Sequence, residues 1–356
     1  MELTKRIDLN LGNACNTKCI FCYYKDSLNS GPQTYEDIRK NVNYLKRYNV
    51  DTIDLTGGEP TIRPDFFEIL KYVKSTLKIN NVSLITNGLL LANETFVKKM
   101  AESGINDVLF SLHGYDEKSH DKLVGVGGAF NNIIMAMKSV AAYKVDIRVN
   151  TVITNYNYLY IKDIGNVLSK FKILNWNLIL CNPILDAKNL DNKLIVKYSK
   201  ASPYLNEVLE QFKDKIKFIF IKDIPYCFME GHEKHVINLL QANYLRFEWD
   251  FFLRAKIRKG SMLINILTPL GFFLFMDVRN MFRRNFNEIK HDSFIYFQEF
   301  VNKVKPFRCR FCKFNLICPG IWRNYFKLYG DSELKHVKGM EILMPYHYIK
   351  DYVKQV

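Results

Sequence analysis

Six of the eight cysteines of this chain fall into two short groups. The first group is Cys15, Cys19 and Cys22, and the second is Cys309, Cys312 and Cys318. The other two, Cys181 and Cys227, stand alone. Cysteines that only fill a core would be scattered, and clustered thiols in a chain without a secretory signal favour metal binding or catalysis over disulfides. The two groups therefore indicate two candidate metal sites.

The first group has the spacing C-x3-C-x2-C within NLGNACNTKCIFCYY, directly after a strand-like stretch. A loop of this kind wraps three thiolates around one iron–sulfur cube and leaves the fourth iron open to a small chelator. Zinc or unligated thiols are the alternative, but zinc takes four ligands and no further Cys or His follows closely. The motif resembles that of the radical S-adenosylmethionine (SAM) superfamily, in which an aromatic residue, here Phe21, precedes the last cysteine. The resemblance implies a [4Fe–4S] cluster on Cys15, Cys19 and Cys22, with SAM on its open iron.

A Gly-Gly-Glu-Pro segment follows the second strand-like stretch. In the family that the chain resembles, this segment contacts the SAM amino group through backbone oxygens and the acidic side chain. The resemblance therefore implies SAM contacts from Gly57, Gly58, Glu59 and Pro60. Glycine suits a backbone that approaches a ligand closely, although an ordinary turn is the alternative interpretation.

Further SAM contacts are implied at the ends of later strands, by Asn87, Ser111, Arg148 and Asn150. In this interpretation Arg148 and Asn150 bind the methionyl carboxylate and the ribose. The alternatives are a simple Asn-Gly turn at Asn87 and a surface charge at Arg148. His113 and His120 follow the fourth strand, where they contact substrate or form hydrogen bonds within the loop.

The second cysteine group has the spacing C-x2-C-x5-C, which suits an iron–sulfur cluster, with zinc as the competitor. It resembles the auxiliary-cluster region of SPASM and Twitch radical SAM enzymes, including the trailing Gly320, Tyr325 and Gly330. No cysteine follows Cys318, and Met276 stands where that pattern has another cysteine. We therefore expect one auxiliary [4Fe–4S] cluster rather than two.

The fourth ligand of this cluster is expected to be Cys227, which lies in a turn after Pro225. A buried free thiol is the alternative for a lone cysteine. Cys181, after the sixth strand, is the rival ligand. The expected metal ligands of the second site are thus Cys227, Cys309, Cys312 and Cys318.

Strand-like and helix-like segments alternate through the first two thirds of the chain. The predicted strands are 6–11, 52–56, 82–86, 107–112, 146–153 and 176–180, and helices are predicted at 35–48, 65–77, 93–103, 129–143 and 158–170. Nearly continuous apolar strands predict a parallel sheet buried on both faces. The expected fold is α/β, a partial (β/α)6 TIM barrel at 1–215 with an auxiliary-cluster domain at 216–356. The segment 217–221 is strand-like, and 264–278 resembles a β-hairpin.

The net charge of +15 is concentrated between Arg246 and Lys327. Such an excess favours an acidic substrate or partner, or else balances an anionic cluster on a solvated face. The longest uncharged apolar run, 261–276, is short for a membrane span and contains Pro269 and Gly271. These features predict a cytoplasmic protein without a transmembrane segment.

The resemblance implies one-electron cleavage of SAM to methionine and a 5′-deoxyadenosyl radical, which abstracts a hydrogen atom from substrate. The auxiliary cluster favours a peptide or protein substrate. The alternative is a small anionic molecule: a nucleotide, a cofactor precursor or a lipid headgroup. A nucleic-acid- or membrane-binding protein with structural clusters leaves the SAM motif unexplained, so no stable nucleic-acid complex is expected. An electron donor such as ferredoxin or flavodoxin is expected as partner.

Overall fold

The computed structural model describes residues 2–22, 33–181, 192–259 and 286–353. The chain divides into two compact units. One contains Asp8–Cys181 and continues to Ile221, and the other contains Met1–Ile7 and the chain from Lys222 onward. The division thus falls six residues after the predicted boundary at 215.

Seven strands form one sheet in the order β1 to β7. They are β1 (Arg6–Asn10), β2 (Thr52–Thr56), β3 (Asn81–Thr86), β4 (Asp107–Ser111), β5 (Asp146–Ile153), β6 (Ile173–Leu180) and β7 (Phe218–Lys222). The pairs from β2 to β6 are parallel. This confirms the partial TIM barrel, with β7 added as a seventh strand to the six predicted. Because parallel strands in sequential order place their carboxyl ends on one edge, the loops that follow them gather there.

In the described ranges, the helices that connect these strands are α1 (Tyr35–Leu45), α2 (Phe66–Leu77), α3 (Glu94–Glu102), α4 (Glu117–Val124), α5 (Ala129–Ala141), α6 (Ile161–Leu168) and α7 (Tyr198–Phe212). Helix α1 begins with a capping box. The Thr34 hydroxyl accepts a hydrogen bond from the backbone N–H of Asp37, and the Asp37 carboxylate accepts one from the backbone N–H of Thr34. Helix α4 was not predicted. It begins with a capping box between Asp116 and Ser119 and ends at Gly125 in the left-handed conformation.

The two faces of the sheet differ in chemistry. Trp176 of β6 is fully buried, and its ring meets Phe212 of α7 edge to face. Its neighbour Asn177 therefore lies on the opposite, inner face of the barrel, because side chains alternate along a strand. The inner face carries polar groups, and the outer face packs on the helices.

The second unit contains short elements and two longer helices. These are α8 (Leu239–Ala242), α9 (Phe251–Lys259), α10 (Phe286–Asn302), β8 (Lys303–Val304), β9 (Ile321–Trp322), α11 (Arg323–Tyr329) and α12 (Lys350–Val353). Strands β8 and β9 are antiparallel, and Phe252, Phe294 and Ile295 form the centre of an apolar cluster. The predicted hairpin at 264–278 lies outside the described residues.

Among the described helices, no single one is long and apolar enough to cross a membrane. The bent pair α4 and α5 meets that requirement by length and composition only.

Candidate active site

The loop that carries the first three cysteines begins at the carboxyl end of β1 and is held on both sides by backbone hydrogen bonds. Their donor–acceptor pairs are Gly58–Gly12 and Glu59–Ala14 at 2.8 Å, Lys18–Val124 at 2.8 Å and Ile20–Leu123 at 3.0 Å. The loop therefore keeps its shape through main-chain contacts with the segments after β2 and around the end of α4.

The three thiols of this loop are half-buried. The Thr17 hydroxyl lies 3.2 Å from Cys15 Sγ and 3.5 Å from Cys19 Sγ. Burial raises the pKa of Cys19 to about 11, so the free thiol is protonated at neutral pH and ionises on coordinating a metal. Three thiols within eight residues of one loop fit three corners of an iron–sulfur cube.

The two glycines after β2 are required by the approach of the cysteine loop. A Cβ on Gly57, whose φ is +148°, would lie 2.2 Å from the carbonyl oxygen of Gly12. A Cβ on Gly58 would lie 2.2 Å from the carbonyl oxygen of Ala14. Any side chain at these positions would therefore displace the backbone that presents the cysteines.

The Glu59 carboxylate is buried and already has several protein donors. It accepts hydrogen bonds from the backbone N–H and hydroxyl of Thr61, from the Thr86 hydroxyl at 2.8 Å and from the Asn87 backbone N–H at 2.7 Å. Burial raises its pKa, and these hydrogen bonds oppose the shift. The carboxylate thus joins the carboxyl ends of β2 and β3, a role that the sequence did not indicate.

Asn87 lies beside the cysteine loop, as expected for a residue near the cluster. Its side-chain Nδ2 donates to Asn16 Oδ1 at 2.7 Å and lies 3.9 Å from Cys15 Sγ. Its Oδ1 accepts from the backbone N–H of Leu89 at 3.1 Å. Both interpretations of Asn87 are therefore compatible, because the residue forms a turn and also contacts the loop.

Ser111 and Asn150 are neighbours across β4 and β5, and Asn177 of β6 continues the same row. Asn177 Nδ2 donates to Asn150 Oδ1 at 2.8 Å. Within the described part of the chain, Asn177 Oδ1 is buried without a hydrogen-bond partner. Asn177 was not among the predicted residues, although its place in the strand WNLIL marks it as a polar side chain in a buried sheet.

Arg148 was predicted to contact SAM, and the structure gives its side chain other partners. It is 1% exposed, and its guanidinium lies 2.7 Å from an Asp107 carboxylate oxygen and 3.3 Å from one of Asp54. It also donates to the Ser83 hydroxyl at 3.0 Å. These partners belong to the amino-terminal half of the barrel interior, whereas ligands bind at the carboxyl ends of the strands. Arg148 therefore belongs to a buried ionic network, which these partners favour over a contact with SAM, and the SAM contact stays a prediction.

We expect Arg148→Met to lower the free energy of unfolding by about 3 to 5 kcal/mol, because it leaves the buried Asp54 carboxylate and the half-buried Asp107 carboxylate without their cation. The matched control is Lys98→Met, which removes an exposed ion pair with Glu102 and should cost at most about 0.5 kcal/mol. Denaturant unfolding measures both. Equal losses would contradict the network, and a lower SAM affinity of folded Arg148→Met would restore the first assignment.

In the second unit, one small cavity is lined by four cysteines, Cys227, Cys309, Cys312 and Cys318, together with Lys305 and Lys335. Cys227 lies in a 3-10 turn (Tyr226–Phe228), and Cys309 ends another (Phe307–Cys309). Gly320 has φ +84°, and a Cβ there would lie 2.2 Å from the Val304 carbonyl oxygen. The turn after Cys318 can therefore close against β8.

The electrostatics of this cavity suit bound metal. Burial raises the pKa of Cys227 to about 12 and that of Cys309 to about 11. The neighbouring Cys318 thiolate adds to both shifts by repelling a second negative charge. The Lys305 side chain lines the same cavity as the thiols, and its ammonium donates to the Asn315 carbonyl oxygen at 2.6 Å. Four thiols and a cation form a donor set that fits an anionic four-cysteine cluster.

Across the described ranges, no three His, Cys, Asp or Glu side chains converge on a point that would hold a single ion. The cysteines of a [4Fe–4S] cluster bind different iron atoms at the corners of a cube, so they do not need to converge on one point. Cys181 extends β6 of the barrel sheet, where its backbone N–H donates to the Ile153 carbonyl oxygen at 2.8 Å.

Residues 9–170 match the sequence profile of the Radical SAM superfamily. This region is a radical SAM domain. The match includes the cysteine loop and the Gly-Gly-Glu-Pro segment, whose geometry is described above. The chain is therefore an enzyme that uses SAM and a [4Fe–4S] cluster.

Curated relatives resemble the radical SAM domain and much of the remaining chain. The "Probable GTP 3',8-cyclase" of Methanocaldococcus jannaschii is 25% identical over 283 residues, which cover 75% of this chain and 89% of the relative. The "GTP 3',8-cyclase" of Clostridium perfringens is 24% identical over 275 residues, or 71% of this chain and 84% of the relative.

Solved structures support the fold of the radical SAM domain. "Native anSMEcpe with bound AdoMet and Cp18Cys peptide" has a TM-score of 0.56 at 18% identity and covers 98% of this chain and 96% of that one. SuiB of Streptococcus suis has a TM-score of 0.52 at 20% identity, over 62% and 50% of the two chains. At these identities the likeness concerns the fold alone.

The prediction of a peptide or protein substrate is wrong. The curated relatives are named for a reaction of GTP, a nucleotide, and the structural likeness to a peptide-bound enzyme does not extend to substrate. The auxiliary cysteines suggested a peptide because they resemble those of SPASM and Twitch enzymes. Such clusters accompany several substrate classes, and the spacing of the cysteines alone does not distinguish one class from another.

Proposed function

We propose that the chain is a radical SAM enzyme that acts on a small nucleotide, in the manner of a GTP 3',8-cyclase. The observation that carries the proposal is the similarity to curated GTP cyclases, which includes 89% of the length of one relative. The net charge of +15 supports it, because a basic surface attracts a polyanionic triphosphate.

The residues around the first site fit SAM and its cluster. Cys15, Cys19 and Cys22 would hold the cluster, and Gly57, Gly58 and Pro60 would shape the main chain beside SAM. Glu59 would hold that segment in place through Thr61 and Thr86 and would contact the SAM amino group with its carboxylate. Asn87, Ser111 and Asn150 would contact SAM from the ends of β3, β4 and β5. When bound, the cluster and SAM together provide the 5′-deoxyadenosyl radical that abstracts a hydrogen atom from substrate.

The second site would hold an auxiliary [4Fe–4S] cluster through Cys227, Cys309, Cys312 and Cys318. With four thiolates this cluster offers no open iron, so it would transfer electrons or support the domain instead of binding substrate. Lys305 would offset part of the negative charge. In this proposal, residues 1–215 form the radical SAM barrel, and residues 216–356 form an auxiliary-cluster domain similar to those of SPASM or Twitch enzymes.

A ferredoxin or flavodoxin as electron donor and a cytoplasmic location stay predictions. A nucleic-acid- or membrane-binding role with purely structural clusters is set aside, because the chain is a radical SAM enzyme.

The test incubates anaerobically reconstituted, reduced enzyme with SAM and GTP. We expect GTP to stimulate 5′-deoxyadenosine formation and to be cyclised. One electron from the reductant and one proton from water replace the hydrogen atom lost to 5′-deoxyadenosine, so the product keeps the mass of GTP and is detected by chromatography with mass spectrometry. ATP at the same concentration is the control for nonspecific nucleotide effects. Equal 5′-deoxyadenosine formation with GTP, with ATP and without nucleotide would contradict the proposal.

A further inference from the structure

His113 follows β4 at the carboxyl end of the strands, where it is buried and both its main chain and its ring form hydrogen bonds. It is 3% exposed. Its backbone N–H donates to His120 Nδ1 at 3.1 Å, and its carbonyl oxygen accepts from Asn157 Nδ2 at 2.9 Å. The position of the imidazole is therefore determined by the neighbouring loop and by β5.

The tautomer of the His113 ring is determined as well. Its Nδ1 accepts a hydrogen bond from the Val152 backbone N–H at 3.1 Å, so Nδ1 carries no hydrogen. Burial, together with the neighbouring His120, holds the pKa of His113 well below its usual range. The ring is therefore neutral, and its one hydrogen is on Nε2.

This Nε2–H donor has no hydrogen-bond partner within the parts of the chain that the structure describes. His113 is 3% exposed as a residue, and its Nε2 is not among the fully enclosed polar atoms that lack a partner, so this donor is accessible to a ligand. The ring also lies against the cysteine loop: its centroid is 4.6 Å from that of Phe21, edge to face. Phe21 immediately precedes Cys22, so the unmatched donor belongs to a side chain that touches the cluster-binding loop.

We propose that His113 donates its Nε2–H to an acceptor atom of a nucleoside bound at this edge of the barrel. Adenine or guanine ring nitrogens and ribose oxygens are such acceptors. The nucleoside belongs either to SAM or to the nucleotide substrate, and the second case rests on the function proposed above. His120 acts as a support: its ring stacks behind His113 at 5.9 Å and faces Phe130 of α5.

Two substitutions separate binding from support. In His113→Asn the side-chain oxygen replaces Nδ1, so the contact with Val152 is kept and the Nε2 donor is lost. In His113→Gln the amide nitrogen replaces Nε2, so the donor is kept and the contact with Val152 is lost. We expect nucleoside binding to weaken about five- to tenfold in His113→Asn and to stay near wild type in His113→Gln. Thermal stability should follow the opposite order, with His113→Gln the less stable.

The measurements are dissociation constants of the holoenzyme, for SAM alone and for GTP with SAM present, together with iron content and the melting temperature. Weaker SAM binding in His113→Asn assigns the nucleoside to SAM, and unchanged SAM binding with weaker GTP binding assigns it to the substrate. His120→Asn keeps the acceptor for the His113 backbone N–H but removes the stacked ring. Because it removes support and not the donor, it should weaken binding less than His113→Asn does.

The proposal is overturned if His113→Asn binds both ligands as wild type does, if His113→Gln binds as poorly as His113→Asn, or if His120→Asn has the same effect as His113→Asn. If wild-type enzyme does not bind GTP, the proposed function fails separately. The SAM constants, which are measured without GTP, then decide the role of His113.

Discussion

Replacing Cys15, Cys19 and Cys22 together by alanine is expected to abolish SAM cleavage and to remove about half of the bound iron. Reconstituted wild-type protein should hold roughly eight irons as two [4Fe–4S] clusters. The three thiols belong to one loop, and the four thiols of the second site belong to the other compact unit. The variant should therefore keep the second cluster intact.

Iron analysis and chromatographic detection of 5′-deoxyadenosine measure both effects. The control is Thr17→Val, which removes the hydroxyl between two of the thiols and leaves the ligands in place. It should retain its iron. If the triple alanine variant still produces 5′-deoxyadenosine, the assignment of the SAM-cleaving cluster is wrong.

The second large effect is expected for Cys227→Ala. Its thiol lines the same cavity as the three later cysteines, so its loss should leave the auxiliary cluster with three protein ligands and make it labile. We expect loss of about half of the iron, retained uncoupled SAM cleavage and failure of substrate turnover.

The decisive comparison places Cys227→Ala and Cys181→Ala each in the background that lacks the first cluster. Electron paramagnetic resonance then reports the auxiliary cluster alone. Loss of its signal in Cys227→Ala and not in Cys181→Ala is the expected result. The reverse would assign the fourth thiolate to Cys181, and an intact signal in both would indicate an open coordination site.

The strands could be predicted closely because each is a short apolar run buried on both faces. The predicted strand at 52–56 is β2 to the residue, whereas β6 begins three residues before its prediction. Asn175 interrupts the apolar run there, and its burial depends on neighbouring strands that local sequence does not reveal. The segment of β7 is recognisably strand-like, but its place in the sheet depends on a long-range pairing with β6, which local sequence does not reveal.

Helix α4 was missed because its polar sequence EKSHDKLV has a short apolar face. The signal that would have found it is the pair Asp116 and Ser119, which cap each other's backbone. Gly125 at its end is the complementary stop signal.

The chemistry of the site was more predictable than the partners of its side chains. Thiol spacing reflects local loop geometry, and the cysteine loop is where the sequence places it. Arg148 and Glu59 are different, because what a buried charge contacts depends on the register of several strands. Substrate class was the least predictable feature, since the cysteines encode how SAM is cleaved and not which molecule is oxidised.

The main-chain bonds that hold the cysteine loop bear on how the enzyme acquires its metal. Because Gly12 and Ala14 are tied to the segment after β2, and Lys18 and Ile20 to the end of α4, the loop is ordered by the barrel rather than by iron. Small zinc domains differ, since their ligands are organised only when metal binds. The barrel should therefore survive oxidative loss of its cluster as a folded apoprotein, and repair would require delivery of iron and sulfide without renewed folding of the chain.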